Sequence, residues 1–450
     1  MKLFGTAGIR GPVADVVTPE LALAVGRAAG QEGEAFVLGR DGRVTGEGLV
    51  DAVAAGLASA GARVSRVGVV PTPALAFASR GRHGVMLTAS HNPPADNGIK
   101  LFVDGQEFTH EAERRIEERV ATGVAAAAWA GWGSGEAESV VPTYRRAVAD
   151  YAAGHGAPLD GLSVAVDCGT GTAGLVTPQV LTDLGARTHA LDANVDGHFP
   201  ARESKPTPET LGGLRAYVAD GDASLGIAHD GDADRIVIVD GDGEVVHEDT
   251  VLAILAHHYV ETSDADDPVV VTTPNASGRI DERVRAAGGR VERIRLGALH
   301  EGVAAARAAG SDATDVVFAA EPWKHVHPAF GGWIDAVASA AVVARLVAAD
   351  GIDDLVAPVD ERPYRKVSVP CADERTAAAM AELREGLPDR FPAASVDTDY
   401  GVRLDFSNGD WVLVRPSGTE PYVRVYAESD DVDDLVETVV ADVERACASD

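Results

Sequence analysis

Three times along this chain a helical stretch ends at a glycine and passes directly into a β-type run. The three junctions are Ala60-Gly61-Ala62-Arg63-Val64, Leu184-Gly185-Ala186-Arg187-Thr188 and Ala287-Gly288-Gly289-Arg290-Val291. Glycine behind the last helical turn supplies the left-handed conformation that stops a helix. Strands that alternate with helices imply a layered α/β architecture with a largely parallel sheet. The junctions recur roughly every 100–125 residues, a domain-sized period, so three related α/β domains are expected.

Local patterns place the elements. Residues 35–39 read as a short buried strand, 48–60 as a helix, 64–70 as a strand broken by Pro71-Thr72-Pro73, and 85–88 as a third strand. Residues 121–138, rich in Ala, Gly and Trp, read as a helix end and linker. A strand at 162–167 opens a second domain and one at 269–273 lies in a third; 357–363 reads as a second linker. Beyond it strands at 366–369, 402–406, 411–414 and 423–427 are flanked by two helices, the pattern of a smaller α+β domain. At 450 residues three or four domains are expected, with boundaries 1–145, 146–252, 253–357 and 358–450.

The formal charge is −31, from 39 Lys+Arg against 70 Asp+Glu. Such a field repels nucleic acid and anionic membrane, so neither is an expected partner. Lysine is scarce: only Lys2, Lys100, Lys205, Lys324 and Lys366 occur. An acidic, lysine-poor surface suits concentrated salt, where self-repulsion is screened. No run of 18 apolar residues appears and the opening Met1–Thr6 has no apolar leader, so neither a spanning helix nor a secretory signal is expected. Cys168, Cys371 and Cys447 are far apart in sequence and form no CxxC pair, which fits a reducing, cytoplasmic setting.

Four clusters carry chemistry. In Thr88-Ala89-Ser90-His91-Asn92-Pro93-Pro94-Ala95-Asp96-Asn97-Gly98-Ile99-Lys100 a strand runs into a small loop stiffened by two prolines, with Gly98 expected to permit an unusual dihedral. A serine there is placed as a nucleophile or phosphoryl carrier, and the GxSxG elbow of hydrolases is absent. The same residues also suit a polar turn in which Ser and Asn cap a following helix. In His229-Asp230-Gly231-Asp232-Ala233-Asp234-Arg235 three carboxylates stand at alternate positions, where a shared side demands a cation. Oxygen donors favour Mg²⁺ or Ca²⁺. The EF-hand pattern fails because Arg235 stands where its glycine belongs and Gly241 where its bidentate Glu belongs. Mg²⁺ is the better fit, against the alternative of a solvated acidic turn such as the downstream hairpin turn Asp240-Gly241-Asp242-Gly243.

In Arg415-Pro416-Ser417-Gly418-Thr419-Glu420-Pro421, with Arg424, hydroxyls, a glycine and guanidinia form an anion cradle suited to phosphate, or a plain β-turn. In Glu321-Pro322-Trp323-Lys324-His325-Val326-His327 a carboxylate and an indole can hold a sugar, while Lys324 or His325 can bind phosphate or move protons; a packed corner is the other reading.

Taken together, these motifs resemble those of the α-D-phosphohexomutase family. Phe4-Gly5-Thr6-Ala7-Gly8-Ile9-Arg10-Gly11 is similar to its N-terminal signature, Thr88–Pro93 to its phosphoserine loop, Asp230–Arg235 to its DGDxDR metal loop and Arg415–Glu420 to its phosphate loop. The resemblance runs the full length and keeps the order of the motifs. It implies three similar α/β domains with mixed, mostly parallel sheets plus a smaller α+β domain around one central cleft. It also implies a phosphosugar mutase that works through phosphorylated Ser90, a bisphosphorylated intermediate and one Mg²⁺ on Ser90, Asp230, Asp232 and Asp234. A sugar 1,6-bisphosphate is the implied activator.

Ser90, Lys100, Arg10, His91 and His325 are the implied catalytic residues, Lys100 moving a proton. Arg235, Glu321, Trp323, Lys324, Arg415, Ser417, Gly418, Thr419 and Arg424 are the implied substrate contacts. The family's sugar loop reads E-x-S-G-H; here Trp323-Lys324 replaces its small middle. The expected specificity is for glucosamine phosphate, with mannose, glucose or pentose phosphates as alternatives, in a monomer or homodimer. A phosphosugar phosphatase, in which water takes the phosphoryl group, and a non-catalytic phosphosugar-binding protein are the rival classes.

Overall fold

The computed structural model describes residues 2–5, 8–417 and 421–448. At all three helix–glycine–strand junctions the glycine takes the left-handed conformation: Gly61 at φ 99°, Gly185 at φ 107° and Gly288 at φ 91°. They follow the helices Gly46–Ser59, Thr177–Asp183 and Gly278–Ala286, and lead into the strands Arg63–Val69, Arg187–Leu191 and Arg290–Arg293. Each of these strands pairs in parallel with an earlier one, Ala35–Arg40, Ser163–Asp167 and Asp267–Thr272 respectively. One supersecondary unit is thus used three times.

The chain divides into two compact units, Met1–Glu248 with Trp323–Leu355, and Asp249–Pro322 with Val356–Asp450. In the first unit a seven-stranded mixed sheet runs in the order Ile9–Pro12, Asp96–Val103, His83–Leu87, Ala35–Arg40, Arg63–Val69, Gly135–Ala137, with Gln106–Glu107 paired to Asp96–Val103. The four strands from His83–Leu87 onward are mutually parallel; Asp96–Val103 runs antiparallel to them, and Ile9–Pro12 pairs antiparallel with Asp96–Val103. Phe36, Leu38, Val85, Leu87 and Ile99 from this sheet are buried beneath apolar residues of the helices Pro19–Ala29 and Gly46–Ser59.

Three details of this sheet depart from expectation. The stretch read as a linker contributes Gly135–Ala137 as an edge strand, paired with Arg63–Val69. Gly98 has no unusual dihedral; a side chain there would meet the backbone oxygens of Thr88 at 2.4 Å and Ile9 at 2.6 Å, so close strand approach requires the glycine. The serine loop, moreover, leads into the strand Asp96–Val103 and not into a helix.

The first unit's second sheet has the order Val245–Val246, Ile236–Val239, Leu225–His229, Ser163–Asp167, Arg187–Leu191. Its last three strands are parallel, and the first two form the expected hairpin, with Gly243 at φ 81° in the turn. The helix Ala336–Asp350 is buried from Ala336 through Val347. A helix apolar all round must be covered on every side, and this one packs on the helices Val141–Ala152 and Thr177–Asp183. That packing places 323–355 in the first unit, although its sequence position lies in the expected third domain.

The second unit holds three parallel strands, Arg290–Arg293, Asp267–Thr272 and Thr314–Glu321. It also holds an antiparallel sheet in the order Tyr364–Pro370, Tyr422–Glu428, Trp411–Pro416, Val402–Asp405, Ser395–Asp397. The helices Asp373–Arg390 and Val432–Ala448 bury Met380, Leu383, Val439 and Val443 against Val402, Val414 and Val425 of that sheet. A buried ion pair fastens the two parts: Arg279 Nη2 lies 2.8 Å from Glu428 Oε1, and Trp411 Nε1 donates to Glu428 Oε2 at 2.6 Å.

All three cysteines are free. Cys447 nevertheless lies beside Cys371, and burial together with that neighbour pushes the Cys447 thiol up to about 12. No helix among the described residues is long and apolar enough to cross a membrane.

Candidate active site

In the first unit, the parallel strands Ala35–Arg40 and His83–Leu87 end side by side. The carboxyl ends of such strands are where open α/β sheets place their ligands. The loop after the first carries Asp41 and Arg43, and the loop after the second carries Ser90. Ser90 is fully buried and sits at φ 53°, a conformation that few non-glycine residues adopt. Its N–H donates to Thr88 Oγ1 at 2.8 Å, and its Oγ donates to Asp230 Oδ2 at 2.6 Å. His91 Nδ1 lies 3.2 Å and Asp234 Oδ1 3.5 Å from the same hydroxyl.

Arg43 holds this loop, and no sequence motif pointed to it. Its Nη1 donates to the carbonyls of Pro93 at 2.6 Å and Asp96 at 2.9 Å, and its Nη2 to those of Ser90 and Asn92 at 2.8 Å. Its Nε pairs with Asp41 Oδ2 at 3.1 Å, all within a buried setting. Burial pushes Asp41 up to about 6 despite the opposing Arg43 charge. Ser204 is a second unforeseen residue: its hydroxyl donates to Ser90 O at 3.0 Å and accepts from Gly231 N at 3.1 Å, tying the serine loop to the carboxylate loop. The one available sequence signal was Asp41-Gly42-Arg43 directly behind a buried strand.

Asp230, Asp232 and Asp234 are buried, and one oxygen from each lies within 4.8 Å of the others. Ala233 at φ 57° turns the loop between them. Thr72 Oγ1 donates to Asp232 Oδ2 at 2.6 Å, whereas Asp232 Oδ1 is buried without a hydrogen-bond donor. Lys100 Nζ lies 3.0 Å and Lys324 Nζ 3.5 Å from Asp234 Oδ2. Burial and the charges of Asp234 and Asp232 push Asp230 up to about 8. Burial also opposes ionisation of Asp234, but Lys324, Lys100, Arg235 and Arg10 outweigh it and hold that carboxyl well below the usual range. Converging buried carboxylates, one with an oxygen lacking any donor, fit a divalent cation, and an all-oxygen donor set fits Mg²⁺.

The cationic wall of the site comes from several elements. Burial works against the charge of Lys100, yet Glu107 and Asp234 raise its pKa above the ordinary value, so it stays protonated. Arg10, on the strand Ile9–Pro12 opposite Gly98, keeps Nε and Nη2 buried without hydrogen-bond acceptors among the described residues. Donors in that state are ready for an anion. Arg235 Nε stands 3.9 Å from Asp230 Oδ2. His91 is pushed down to about 3 by burial, Arg235 and Arg10, and is therefore neutral.

Of the fourth cluster, Trp323, Lys324 and His325 belong to this unit. Trp323 packs against the buried cluster that includes Leu214, Val237 and Val239, with the Arg235 guanidinium 5.9 Å from its ring centroid. His325 Nδ1 meets Ser339 Oγ at 3.0 Å, and His327 Nε2 meets the same oxygen at 2.9 Å. Burial pushes His325 down to about 3.

The remaining residues lie in the second unit. Glu321 Oε2 accepts from Gly297 N at 3.2 Å. Arg415 and Arg424 stand directly opposite on paired strands, a like-charge arrangement that favours an anion between or beside them. Arg415 Nη2 donates to Tyr426 Oη at 2.8 Å, and Ser417 Oγ is buried with no hydrogen-bond partner among the described residues. A cavity of about 640 Å³ adjoins Arg415 and brings in Arg295, Arg384 and Tyr400, which the sequence did not flag. Gly418 and Thr419 lie outside the described residues.

Comparison with known proteins follows the same segments. Residues 1–126 match the model described as phosphoglucomutase/phosphomannomutase, alpha/beta/alpha domain I; residues 144–243 match domain II; residues 367–446 match the C-terminal domain. A protein of Thermococcus kodakarensis named phosphopentomutase is 42% identical over 95% of this chain and 94% of its own length. One of Methanopyrus kandleri named probable phosphoglucosamine mutase is 39% identical over 100% of this chain and 99% of its own. The crystal structure of a phosphoglucomutase/phosphomannomutase family protein from Burkholderia thailandensis aligns with a TM-score of 0.85 at 25% identity, covering 98% of this chain and 96% of that one.

Proposed function

Because the chain belongs to the phosphoglucomutase/phosphomannomutase family of mutases, we propose that it moves a phosphoryl group between the two ends of an aldose phosphate with Ser90 as carrier. One observation carries this reading: the Ser90 hydroxyl is held at 2.6 Å from Asp230 inside the buried carboxylate cluster, on a backbone fixed at φ 53°. Binding alone needs neither a strained serine nor three converging carboxylates.

Phosphorylated Ser90 gives its phosphoryl group to the free end of a sugar monophosphate. The bond from phosphorus to Ser90 Oγ breaks, a bond to the sugar oxygen forms, and the hydroxyl proton leaves as Ser90 regains one. The bisphosphorylated sugar then turns over and returns its other phosphoryl group. His91, neutral and 3.2 Å from Oγ, is placed to pass that proton. Lys100 stays protonated and is placed as a cation; its raised pKa speaks against the proton-moving role that the sequence suggested. Bound Mg²⁺, held by Asp230, Asp232, Asp234 and an oxygen on Ser90, would offset the charge of the transferring group. Arg10 and Arg235 supply further positive charge from the protein. Arg415, Ser417, Gly418, Thr419 and Arg424 would grip the phosphate that does not react, while Glu321 and Trp323 would face the sugar and His325 would shuttle a proton; the Lys324 ammonium instead lies on Asp234. A trace of sugar bisphosphate would prime Ser90. Domain boundaries near 145, 252 and 357 go with this reading.

Two sugars merit testing. The relative named phosphopentomutase is the more similar of the two described, which favours interconversion of a pentose 1-phosphate and 5-phosphate. The second relative favours a hexosamine 1-phosphate and 6-phosphate. Phosphorus NMR of ribose-, glucosamine-, glucose- and mannose-1-phosphate, with Mg²⁺, KCl and a trace of the matching bisphosphate, separates them. A 5- or 6-phosphate signal growing without free phosphate is expected for one. Free phosphate alone would make the protein a phosphatase, and silence on all four would refute the substrate class.

A further inference from the structure

Only five lysines occur in 450 residues, and two of them end on the same carboxylate oxygen. Lys100 and Lys324 are both buried, as is Asp234 between them. They arrive from different parts of the chain, Lys100 on the strand Asp96–Val103 and Lys324 on the strand Lys324–Val326, where the polypeptide re-enters the first unit. Lys100 lies 3.0 Å from Asp234 and 3.4 Å from Glu107 Oε1 and is shared between the two carboxylates; Lys324, at 3.5 Å, adds a second ammonium at Asp234. Burying an ammonium is costly, so a second one at the same carboxylate needs a reason. The local arrangement supplies it. Three carboxyl groups, Asp230, Asp232 and Asp234, pack against Lys100, Lys324 and Arg235, each within 3.9 Å of one of them, so cations of the protein screen the carboxyl groups from one another.

We propose that Lys324 is a positioning residue that competes with the divalent cation: it shares Asp234, weakens Mg²⁺ binding at the carboxylate loop, and keeps that loop folded when no cation is bound. This rests on the reading of the three aspartates as the Mg²⁺ site. An ammonium and a divalent cation drawn to one carboxylate repel each other across a few ångströms of buried protein, where such repulsion is strong. Loss of Lys324 leaves Asp234 still paired with Lys100, so the fold survives while the competition ends.

The test is Mg²⁺ titration by calorimetry on full-length dephosphorylated protein, together with melting in EDTA and in Mg²⁺. Lys324→Met is expected to bind Mg²⁺ about tenfold or more tightly than the native chain. It should melt lower in EDTA and gain more from added Mg²⁺. A merely structural role would lower the melting temperature without tightening Mg²⁺ binding. Asp232→Asn should lose the binding event in either background. Equal affinities in native and Lys324→Met protein, with binding lost in Asp232→Asn, overturn the proposal and leave the Mg²⁺ reading intact. Binding that persists unchanged in Asp232→Asn overturns both. Lys324→Gln replaces Lys324→Met if the latter does not fold, with the same outcomes.

Discussion

Replacing Arg43 with lysine keeps the positive charge beside Asp41 and removes the planar fork. The guanidinium now serves four carbonyl oxygens of the serine loop at 2.6–2.9 Å, as well as Asp41. An ammonium has three donors radiating from one nitrogen and cannot span that set. With two of the four carbonyls left unpaired at roughly 1–3 kcal/mol each, the cost is about 2–6 kcal/mol. At about 2–4 °C per kcal/mol for a unit of this size, melting falls by roughly 5–20 °C. The kinetic effect should be larger than the stability effect suggests. Ser90 O is one of the four acceptors, so the loop that aims Ser90 Oγ loosens. A displacement of about 1 Å costs on the order of 100-fold in rate. Arg43 is itself buried and bonded to protein, so KM for the sugar phosphate should hardly change. Turnover by phosphorus NMR, phosphoserine occupancy by intact mass and melting by calorimetry measure the three terms. Turnover within threefold of native, with unchanged melting, would refute the view that Arg43 positions the carrier.

Three further outcomes are expected. Ser90→Ala should fold and lose turnover by several orders of magnitude, since the carrier hydroxyl is gone; near-native rates in a clean preparation would remove Ser90 from the mechanism. Gly231→Ala places a methyl 2.7 Å from Ser204 Oγ and 3.0 Å from Ser90 O, so it should cost about 1–3 kcal/mol and slow turnover roughly 10–100-fold, read by calorimetry and kinetics. His325 has a folded pKa depressed to about 3 by burial, so its contribution to stability is present above the ordinary histidine value and is lost as pH falls toward 3. At pH 4.5 that loss reaches up to about 3 kcal/mol, and His325→Gln should flatten the decline in denaturant midpoint between pH 7 and 4.5; an unchanged slope would show that His325 does not drive it.

The sequence alone determined the order of strands and helices, the three glycine-stopped junctions and the clusters around Ser90, the three aspartates and Arg415. These are local signals: a dihedral that only glycine adopts easily, an alternation of apolar residues, like charges too close to stand without a counter-charge. Tertiary structure decided the rest. Arg43, Asp41, Thr72 and Ser204 act through backbone carbonyls and through carboxylates as much as 160 residues away, contacts that leave no pattern in their own neighbourhood. Gly135–Ala137 has weak strand propensity and becomes a strand because Arg63–Val69 offers it an open edge. The helix Ala336–Asp350 joins the first unit because a predominantly apolar surface must be covered, and the matching surfaces lie on Val141–Ala152 and Thr177–Asp183. Lys324 could be read as a cation beside a sugar; only folding, by bringing it within 3.5 Å of Asp234, sets it against the metal loop. Local chemistry writes the elements and the reactive groups, whereas burial and long-range pairing decide which groups meet.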